Sequence, residues 1–432
     1  MKNRITLFIT CLLCYNLSAQ IPFKDLDIKQ FQYADAKIRT FDVGFFQDGQ
    51  SLKTNYGGDF NNGISSKYFQ FNGSFSNYVF KNTRKLQHSS SLSGNVNTSK
   101  STTTQDDRPW LLATNIGWNA QSRHYKDKSY VEINPEVNFQ YRKNENLLLN
   151  AGIALKKGIG RIEPVTDVFM TRWMLKEIEE GGTDISNLTQ EDVFAIANRL
   201  NVINNYRIFD NRRQLKSQIK DITLALNDKV NGITDQLDLY GIVFDNYTRA
   251  FVGNRFEGSR KALAVRPFVA SNTRYIQNQE NFTRTGMGVE FYGEYIKSRN
   301  TSLNAQQSLE FQLGTGYNSN SFDNGMDIIY PFANGKYQFD YFPSSRTTLS
   351  YFVEGSYRYV NYSLSDDIIK RPSLGILNAR TGLSTSYFIN FRTRIQANFS
   401  VSYFNQNIMN TINTDQNQLN FSNNISFLHS IF

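Results

Sequence analysis

Charged side chains recur at alternate positions of apolar stretches in this sequence, where they offer two kinds of chemistry, ion pairing and the binding of charged solutes. In these stretches apolar and polar residues alternate, and the polar set of alternate positions, here called the polar parity, contains the charges. They are Glu132, Glu136, Lys156, Arg266, Glu290, Glu294, Glu310, Glu354, Arg358, Arg380, Arg392 and Arg394. Successive side chains of a strand point to opposite faces, so the parity predicts that these charges share one face of a sheet. Because a covered charge must be hydrated or paired, that face is expected to line a wet interior.

Opposite charges are expected to meet across neighbouring strands, because residues that face each other in a hairpin have numbers with a nearly constant sum. The pairs predicted by this rule are Glu132 with Lys156, Arg266 with Glu294, and Glu354 with Arg380, with each register open to a slip along the strand. Two roles are open for such pairs. They hold the wall and partly fill the interior, or they form a constriction whose charges select solutes.

Catalytic chemistry has little support in the sequence. The three histidines are His88, His124 and His429, and strand counting places all of them near one rim of the sheet. A general base must lie within hydrogen-bond reach of its partner, and no carboxylate cluster accompanies these histidines. The sequence also has no GxSxG elbow, HExxH zinc motif, phosphate loop or EF-hand loop. We therefore predict no enzyme activity, no cofactor and no metal site.

The element that positions the charges is clearest in residues 390–403, NFRTRIQANFSVSY. Its odd-numbered positions are mostly apolar, with Phe391, Phe399 and Val401 among them, whereas its even-numbered positions are polar. The stretch exceeds the usual soluble strand of about 5 or 6 residues and matches the roughly 9 to 11 residues of a tilted strand that crosses a bilayer. Such a strand must belong to a closed barrel, because an open edge would leave backbone groups unpaired in hydrocarbon.

The same alternation recurs along the chain and predicts about 14 strands, an even number of the kind found in single-chain bacterial barrels. The predicted strands are 37–47, 68–80, 85–98, 110–125, 130–142, 147–158, 261–276, 283–297, 303–317, 332–341, 347–362, 374–388, 390–403 and 418–430. Long polar connections at 48–67, 97–109, 318–331, 363–372 and 405–417 alternate with short ones at 81–84, 126–129, 298–302, 342–346 and 389. Barrels of this type have long outer loops and short periplasmic turns, so a chain that starts in the periplasm places the long connections outside. Connections 143–146 and 277–282 are shorter than that rule expects.

The first nineteen residues are predicted to be a signal peptide, with Lys2 and Arg4 before an apolar run and a small-residue cleavage site that ends at Ala19. Both cysteines, Cys11 and Cys14, lie in this segment, so a chain beginning at Gln20 has none. An alternative makes Cys14 a lipidated first residue. Residues 20–36 are then a periplasmic tether or a plug, followed by barrel strands in 37–162 and again in 255–432.

Residues 163–254 interrupt the strands, and there the apolar period changes from 2 to 3.6. A helix is predicted from Thr166 to Glu180, a second begins after Thr189, and a third carries Leu215 to Val230 before Gly232. The insertion follows a strand that descends to the periplasm, so it is expected on that side. Its apolar stripes need a partner surface, which is each other, the barrel mouth or another protein.

Composition fits this architecture. Hydrophobic residues make up 40% of the chain and aromatic residues 14%, as expected for a polar interior combined with aromatic girdles at the membrane interfaces. No apolar run of about 18 residues follows the predicted signal peptide, which excludes a helical span of that kind. Removing Lys2 and Arg4 lowers the formal net charge from +9 to +7, and the remaining cations are scattered rather than clustered as in nucleic-acid-binding proteins.

With its Ser-Ala-Gln cleavage site, its strands rich in Asn, Tyr and Phe, and its terminal Phe432, the chain resembles a porin-like outer-membrane β-barrel of the Bacteroidota type. Residues alternating back from Phe432 are Ser430, Leu428 and Ser426, which departs from the usual terminal signature. The resemblance covers the chain after the predicted signal peptide except the helical insertion, and it implies an all-β membrane barrel that is recognised by the barrel assembly machinery. Outer-membrane lipid and lipopolysaccharide are expected to surround such a barrel, and no nucleic acid partner is expected. One hypothesis is passage or uptake of small solutes through a periplasmic gate. The other is a non-conducting anchor whose helices bind a periplasmic protein.

Overall fold

The structure is a computed structural model, and part of the chain is described by it. The described residues are 26–31, 36–48, 53–55, 64–103, 111–143, 146–205, 211–230, 232–233, 235–249, 254–274, 282–320, 326–344, 346–362, 373–390, 393–408 and 416–429. The predicted signal peptide, with Cys11 and Cys14, lies outside these ranges, as do Arg392 and Phe432. Within them, no helix has the length and apolarity needed to span a membrane.

Strands form one large antiparallel sheet in which neighbours follow chain order. The strands are β1 (Ala36–Asp48), β2 (Lys53–Asn55), β3 (Ile64–Asn82), β4 (Leu86–Thr103), β5 (Leu111–Lys126), β6 (Ser129–Arg142), β7 (Asn146–Pro164), β8 (Phe256–Arg274), β9 (Phe282–Ser302), β10 (Ala305–Asn320), β11 (Met326–Ser344), β12 (Thr347–Tyr362), β13 (Leu374–Asn390), β14 (Thr393–Ile408) and β15 (Gln416–His429). The path runs β1-β3-β4 and onward to β15, with the short β2 attached to β3. The predicted antiparallel β class is confirmed, whereas 14 membrane strands and closure of the sheet onto itself stay predictions.

Many strands extend beyond the bounds that side-chain alternation predicts. β4 continues to Thr103, into the segment predicted as a long connection, and β9 continues to Ser302, where a short turn was expected. β2 pairs with β3 inside another predicted loop. The physical reason is that ladder hydrogen bonds join backbone groups, so Ser, Thr and Asn continue a hairpin where apolar alternation has ended.

The two faces of the sheet differ sharply in chemistry. Side chains from strands as far apart as β3 and β12 line one cavity, so the sheet curves around the face that carries Glu132 and Glu290, here called the inner face. Both carboxylates are buried there. On the opposite, outer face, Leu263 is 76% exposed and Ile425 is 80% exposed. Buried charges and exposed large apolar residues reverse the usual order of a water-soluble protein.

Four helices follow β7, at the positions where the apolar period changes. They are α1 (Thr166–Glu180), α2 (Gln190–Asn205), α3 (Asn211–Asn227) and α4 (Gln236–Arg249). Their apolar stripes meet in one core that includes Phe169, Leu200 and Ile222. Phe31 from the N-terminal segment and Leu303 from the turn between β9 and β10 join the same core. The helices therefore form a compact cap. It lies at the end of the sheet that carries the short turns, such as the one between β9 and β10, and this end is called the turn end here; the opposite end is called the loop end.

The fourth helix was not among the predicted elements. Its sequence, QLDLYGIVFDNYTR, contains Gly241, Tyr240 and Val243, all with lower helix propensity than alanine or leucine. Packing overrides that weakness, since Leu239 and Val243 are buried in the core of the cap.

Two glycines mark the points where β7 and β8 approach the cap. Gly160 and Gly258 adopt φ values of +92° and +124°. A Cβ at Gly160 would lie 2.2 Å from the carbonyl oxygen of Ser259, and one at Gly258 would lie 2.2 Å from that of Arg161. Only glycine fits this left-handed backbone against the neighbouring strand without a shift.

Candidate functional site

The inner face encloses several cavities that share walls. A loop-side cavity of about 1030 Å³ shares Glu136, Arg266, Glu290 and Arg358 with a middle cavity of about 210 Å³. The middle cavity shares Gln312 and Asn334 with a side cavity of about 630 Å³ along β9 to β15. A turn-side cavity of about 310 Å³ next to the cap shares Glu310 with the side cavity. The cavities therefore follow one another from the loop end to the turn end of the sheet.

Lys156 is the centre of a buried ion cluster on this face. Its Nζ lies 3.3 Å from Oε1 of Glu132 and 2.8 Å from Oε2 of Glu294. The contact with Glu132 is one of the three predicted pairs, and the two residues face each other in the β6–β7 ladder. The second contact crosses β8, which the curvature of the sheet permits.

Two arginines that were not singled out from the sequence complete this cluster. Arg123 donates from Nε to Oε2 of Glu132, and Nε of Arg260 lies 3.8 Å from Oε1 of Glu294. The sequence carried a signal for the first, because Arg123 and Glu132 lie at equal distances from the turn between β5 and β6. The cluster fills the interior on the β5 to β9 side.

A second cluster corrects one predicted pair. Arg266 faces Glu290 in the β8–β9 ladder, whereas Glu294 faces Ala262. Nη2 of Arg266 lies 2.6 Å from Oε2 of Glu290, and its Nη1 lies 3.2 Å from Oε1 of Glu136. The predicted pairing of Arg266 with Glu294 is therefore wrong. The register of β8 and β9 is symmetric about position 278, whereas the predicted pair requires a hairpin centred at position 280.

Apart from Glu310 on β10, the remaining predicted charges that the structure describes lie on β12 to β14. Glu354 faces Arg380, and its Oε1 lies 3.6 Å from Nη1 of the arginine. Arg358 faces Phe332 and lies with its Cζ 4.6 Å from the ring centroid of Tyr330. Arg392 and the side chain of Arg394 lie outside the described residues.

A further arginine spans the turn end of the interior. Arg161 of β7 donates to the carbonyl oxygens of Arg84 and Thr83 at 2.7 and 2.8 Å, in the turn between β3 and β4. Gln87 of β4 donates to the carbonyl of Ile162 at 2.9 Å. These bonds join β7 to β4 and to the β3–β4 turn across the inner face of β5 and β6. They narrow the opening of the interior at the turn end, here called the mouth, on the β3 to β7 side. Nothing in the alternation pattern predicts a bond between strands so far apart.

The cap is attached to the sheet on the other side of the mouth. Arg255 is fully buried, lies 3.5 Å from the ring centroid of Phe342, and donates to the carbonyl of Leu303 at 2.7 Å. Nη2 of Arg346 donates to Asp245 of α4 at 2.9 Å. Burial lowers the pKa of Arg255 to about 9, which still leaves the guanidinium charged at neutral pH.

Within the cap, a capping box begins α2. Oδ2 of Asp192 accepts hydrogen bonds from the N–H and hydroxyl of Thr189, and Nζ of Lys229 donates to its Oδ1 at 2.8 Å. The Lys229 and Thr189 hydrogen bonds lower the pKa of Asp192 to about 2. In α1, burial raises the pKa of Glu177 although Asn246 donates to it.

The histidines predicted near one rim lie on three strands, β4, β5 and β15. Nδ1 of His88 contacts the Ser122 hydroxyl at 2.6 Å on the outer face, and His124 faces Leu86 across the ladder. His429 ends β15, and its side chain is outside the described part of the chain. Across the described ranges, no group of three or more His, Cys, Asp and Glu side chains is arranged to hold a metal ion.

Comparison with known proteins gives little further information. No family model matches the sequence, and no curated protein matches it. Among solved structures, a bacterial polysaccharide outer membrane secretin matches 91% of this chain and 98% of its own, at 8% identity and a TM-score of 0.26. A similarity this low supports no statement about fold or function.

Proposed function

We propose that the protein is an outer-membrane β-barrel of the Bacteroidota type that passes small hydrophilic solutes through a polar interior. The observation that carries the proposal is the reversed distribution of side chains over the sheet. Leu263 and Ile425 are exposed on the outer face, while Glu132 and Lys156 are buried on the inner one. Exposed apolar area costs about 25 cal/mol per Å² in water, whereas lipid acyl chains solvate it.

The passage itself is supported by the series of cavities with shared walls. Their lining is rich in hydroxyl, amide and charged groups, which suits hydrated solutes better than lipids. The buried cluster around Lys156 and the bonds of Arg161 fill the β3 to β9 side at the turn end. The passage therefore runs off-centre, along the side and turn-side cavities.

In this proposal the cap lies in the periplasm and narrows the mouth of the passage. Its attachments through Arg255 and Arg346 are to the turns of β9–β10 and β11–β12, which adjoin the turn-side cavity. Asn254 and Phe256 line that cavity where the chain returns from α4 to β8. A displacement of the cap would therefore change the width of the mouth.

The test uses a chain from Gln20 onward, which has no cysteine of its own. Ser308→Cys places a thiol in the turn-side cavity, and Leu309→Cys places one next to it on the outer face. Purified protein in planar bilayers should show discrete conductance. A charged methanethiosulfonate reagent should reduce the conductance of Ser308→Cys and leave that of Leu309→Cys unchanged. An inserted protein without conductance would refute the passage.

The second candidate is a non-conducting anchor, and apolar side chains on the surface of the cap favour it. Leu237 is 80% exposed in the first turn of α4, and Leu224 of α3 is also exposed. Under this candidate the inserted protein does not conduct, and a periplasmic partner that co-purifies is lost on Leu237→Lys substitution.

A further inference from the structure

We propose that the inner face carries a binding site for a small solute with a carboxylate group, centred on Arg358. The inference rests on the proposed function and names its solute class. Arg358 lines both the loop-side and the middle cavity. Since these cavities are joined at this point, a solute that moves between them passes the guanidinium.

The two arginines at this junction differ in charge balance. Arg266 is neutralised by Glu290 at 2.6 Å and by Glu136 at 3.2 Å. Arg358 has no carboxylate within salt-bridge distance among the described residues. Its cross-strand neighbours are Phe332 and Ile376, which offer no charge. The four charged groups at the junction therefore sum to zero, but Arg358 lies next to a cavity with no carboxylate of the described residues in contact.

The fold holds that guanidinium in place without using a counter-ion. Its Cζ lies 4.6 Å from the ring centroid of Tyr330, whose hydroxyl donates to Oε1 of Glu290 at 2.8 Å. The ring of Tyr330 lies against Gly316, where a Cβ would approach the ring Cζ to 2.2 Å. A fixed ring under a planar guanidinium leaves the donors at its edge free for a ligand.

The charge and shape of the junction favour a carboxylate. A carboxylate accepts two parallel hydrogen bonds from a guanidinium, and its single charge matches the one guanidinium that lacks a carboxylate contact. A phosphate monoester carries nearly two charges and would meet about twice the repulsion from Glu290 and Glu136 that a carboxylate meets. The loop-side cavity of about 1030 Å³ is large enough for a sugar-sized solute, and Ser93, Asn115 and Asn119 line its other wall with hydrogen-bonding groups.

Binding to purified protein in detergent micelles tests the site without requiring conductance. The probe is D-glucuronate, measured by isothermal titration calorimetry against D-glucose as the neutral analogue and glucose 6-phosphate as the phosphate analogue. Arg358→Gln should weaken glucuronate binding about tenfold. Arg358→Lys keeps the charge without the planar guanidinium and should weaken glucuronate binding about threefold. This variant provides the test if Arg358→Gln does not fold. Arg380→Gln is the matched control, because it removes an arginine already paired with Glu354.

The expected result is glucuronate binding that depends on Arg358 and not on Arg380. No binding by the wild type, equal binding by the Arg358 variants, or an equal loss in Arg380→Gln would overturn the site. Stronger binding of glucose 6-phosphate would overturn the carboxylate assignment. A protein that binds glucuronate through Arg358 but does not conduct would retain the site and refute the passage, so the two failures are distinguishable.

Discussion

Replacing Lys156 by methionine tests the buried cluster most directly. Methionine has a similar length and no charge, so the substitution removes the cation between Glu132 and Glu294 with little change in packing. All three side chains are at most 5% exposed, so water gives the remaining carboxylates little compensation. The protein should therefore lose stability in the folded, membrane-inserted state.

The magnitude follows from what remains around the two carboxylates. Removing one partner of a buried ion pair costs about 3–5 kcal/mol. The lower end applies to Lys156→Met, about 3 kcal/mol, because Arg123 still pairs with Glu132 and Gln312 still donates to Glu294. The control is Arg380→Met, whose pair with Glu354 has side chains 52% and 38% exposed and so contributes at most about 1 kcal/mol.

The assay is urea unfolding of the detergent-solubilised or liposome-inserted protein, followed by the electrophoretic mobility difference between folded and unfolded forms. The double variant Lys156→Met, Glu294→Gln should recover part of the loss, because it removes the carboxylate that would keep only the 3.8 Å contact with Arg260 as an ion pair. A loss below about 1 kcal/mol for Lys156→Met, or an equal loss for Arg380→Met, would show that the cluster is hydrated and does not hold the wall.

Three further predictions concern the cap. A protease site engineered at 181–182 should resist cleavage in intact cells while one at 99–104 is cut, and the reverse pattern would invert the topology. Replacing 164–254 by a short Gly/Ser turn should leave a heat-modifiable inserted barrel with raised conductance, whereas a variant unable to insert would mean that the cap is part of the barrel fold. Asp192→Asn should destabilise the cap by about 1 kcal/mol, measured by urea unfolding of its helical circular dichroism. Since the folded pKa of Asp192, about 2, lies below its unfolded value near 3.9, the stabilisation is full above that value and declines as pH falls toward 2. A loss that stays constant down to pH 2 would contradict this account.

Alternation in the sequence predicts the faces of the strands better than their registers. Glu132 opposite Lys156 follows from the short connection 143–146, whose centre is nearly fixed. Glu354 opposite Arg380 spans the long connection 363–372, and there the midpoint of the predicted connection agrees with the register. Arg266 is assigned the wrong glutamate because the midpoint of the polar connection predicted at 277–282 does not agree with the register of β8 and β9. A misplaced centre keeps the parity and changes the partner, so the face is predicted even where the pair is not.

Contacts between elements distant in sequence were beyond such prediction. The bonds from Arg161 to the β3–β4 turn require that four strands curve toward one another, and no local pattern encodes that distance. The burial of Arg255 between Phe169 and Phe342 likewise depends on where the cap lies against the turns. Tyr330 falls in the connection predicted at 318–331, whereas the structure extends β11 to include it. Its position against Gly316 and Arg358 follows from that extension and from the fold.

The bonds on the two sides of the turn end bear on the gate that we propose for the cap. On the β3 to β9 side, Lys156 and Arg161 join the wall to itself through bonds that do not involve the helices. On the β9 to β12 side, Arg255 and Arg346 bond the cap to the turns beside the remaining cavity. If the cap were displaced, the first set of bonds would remain and the second set would break. In the proposed function, displacement would therefore open the turn-side cavity and leave the ion pairs of the wall intact.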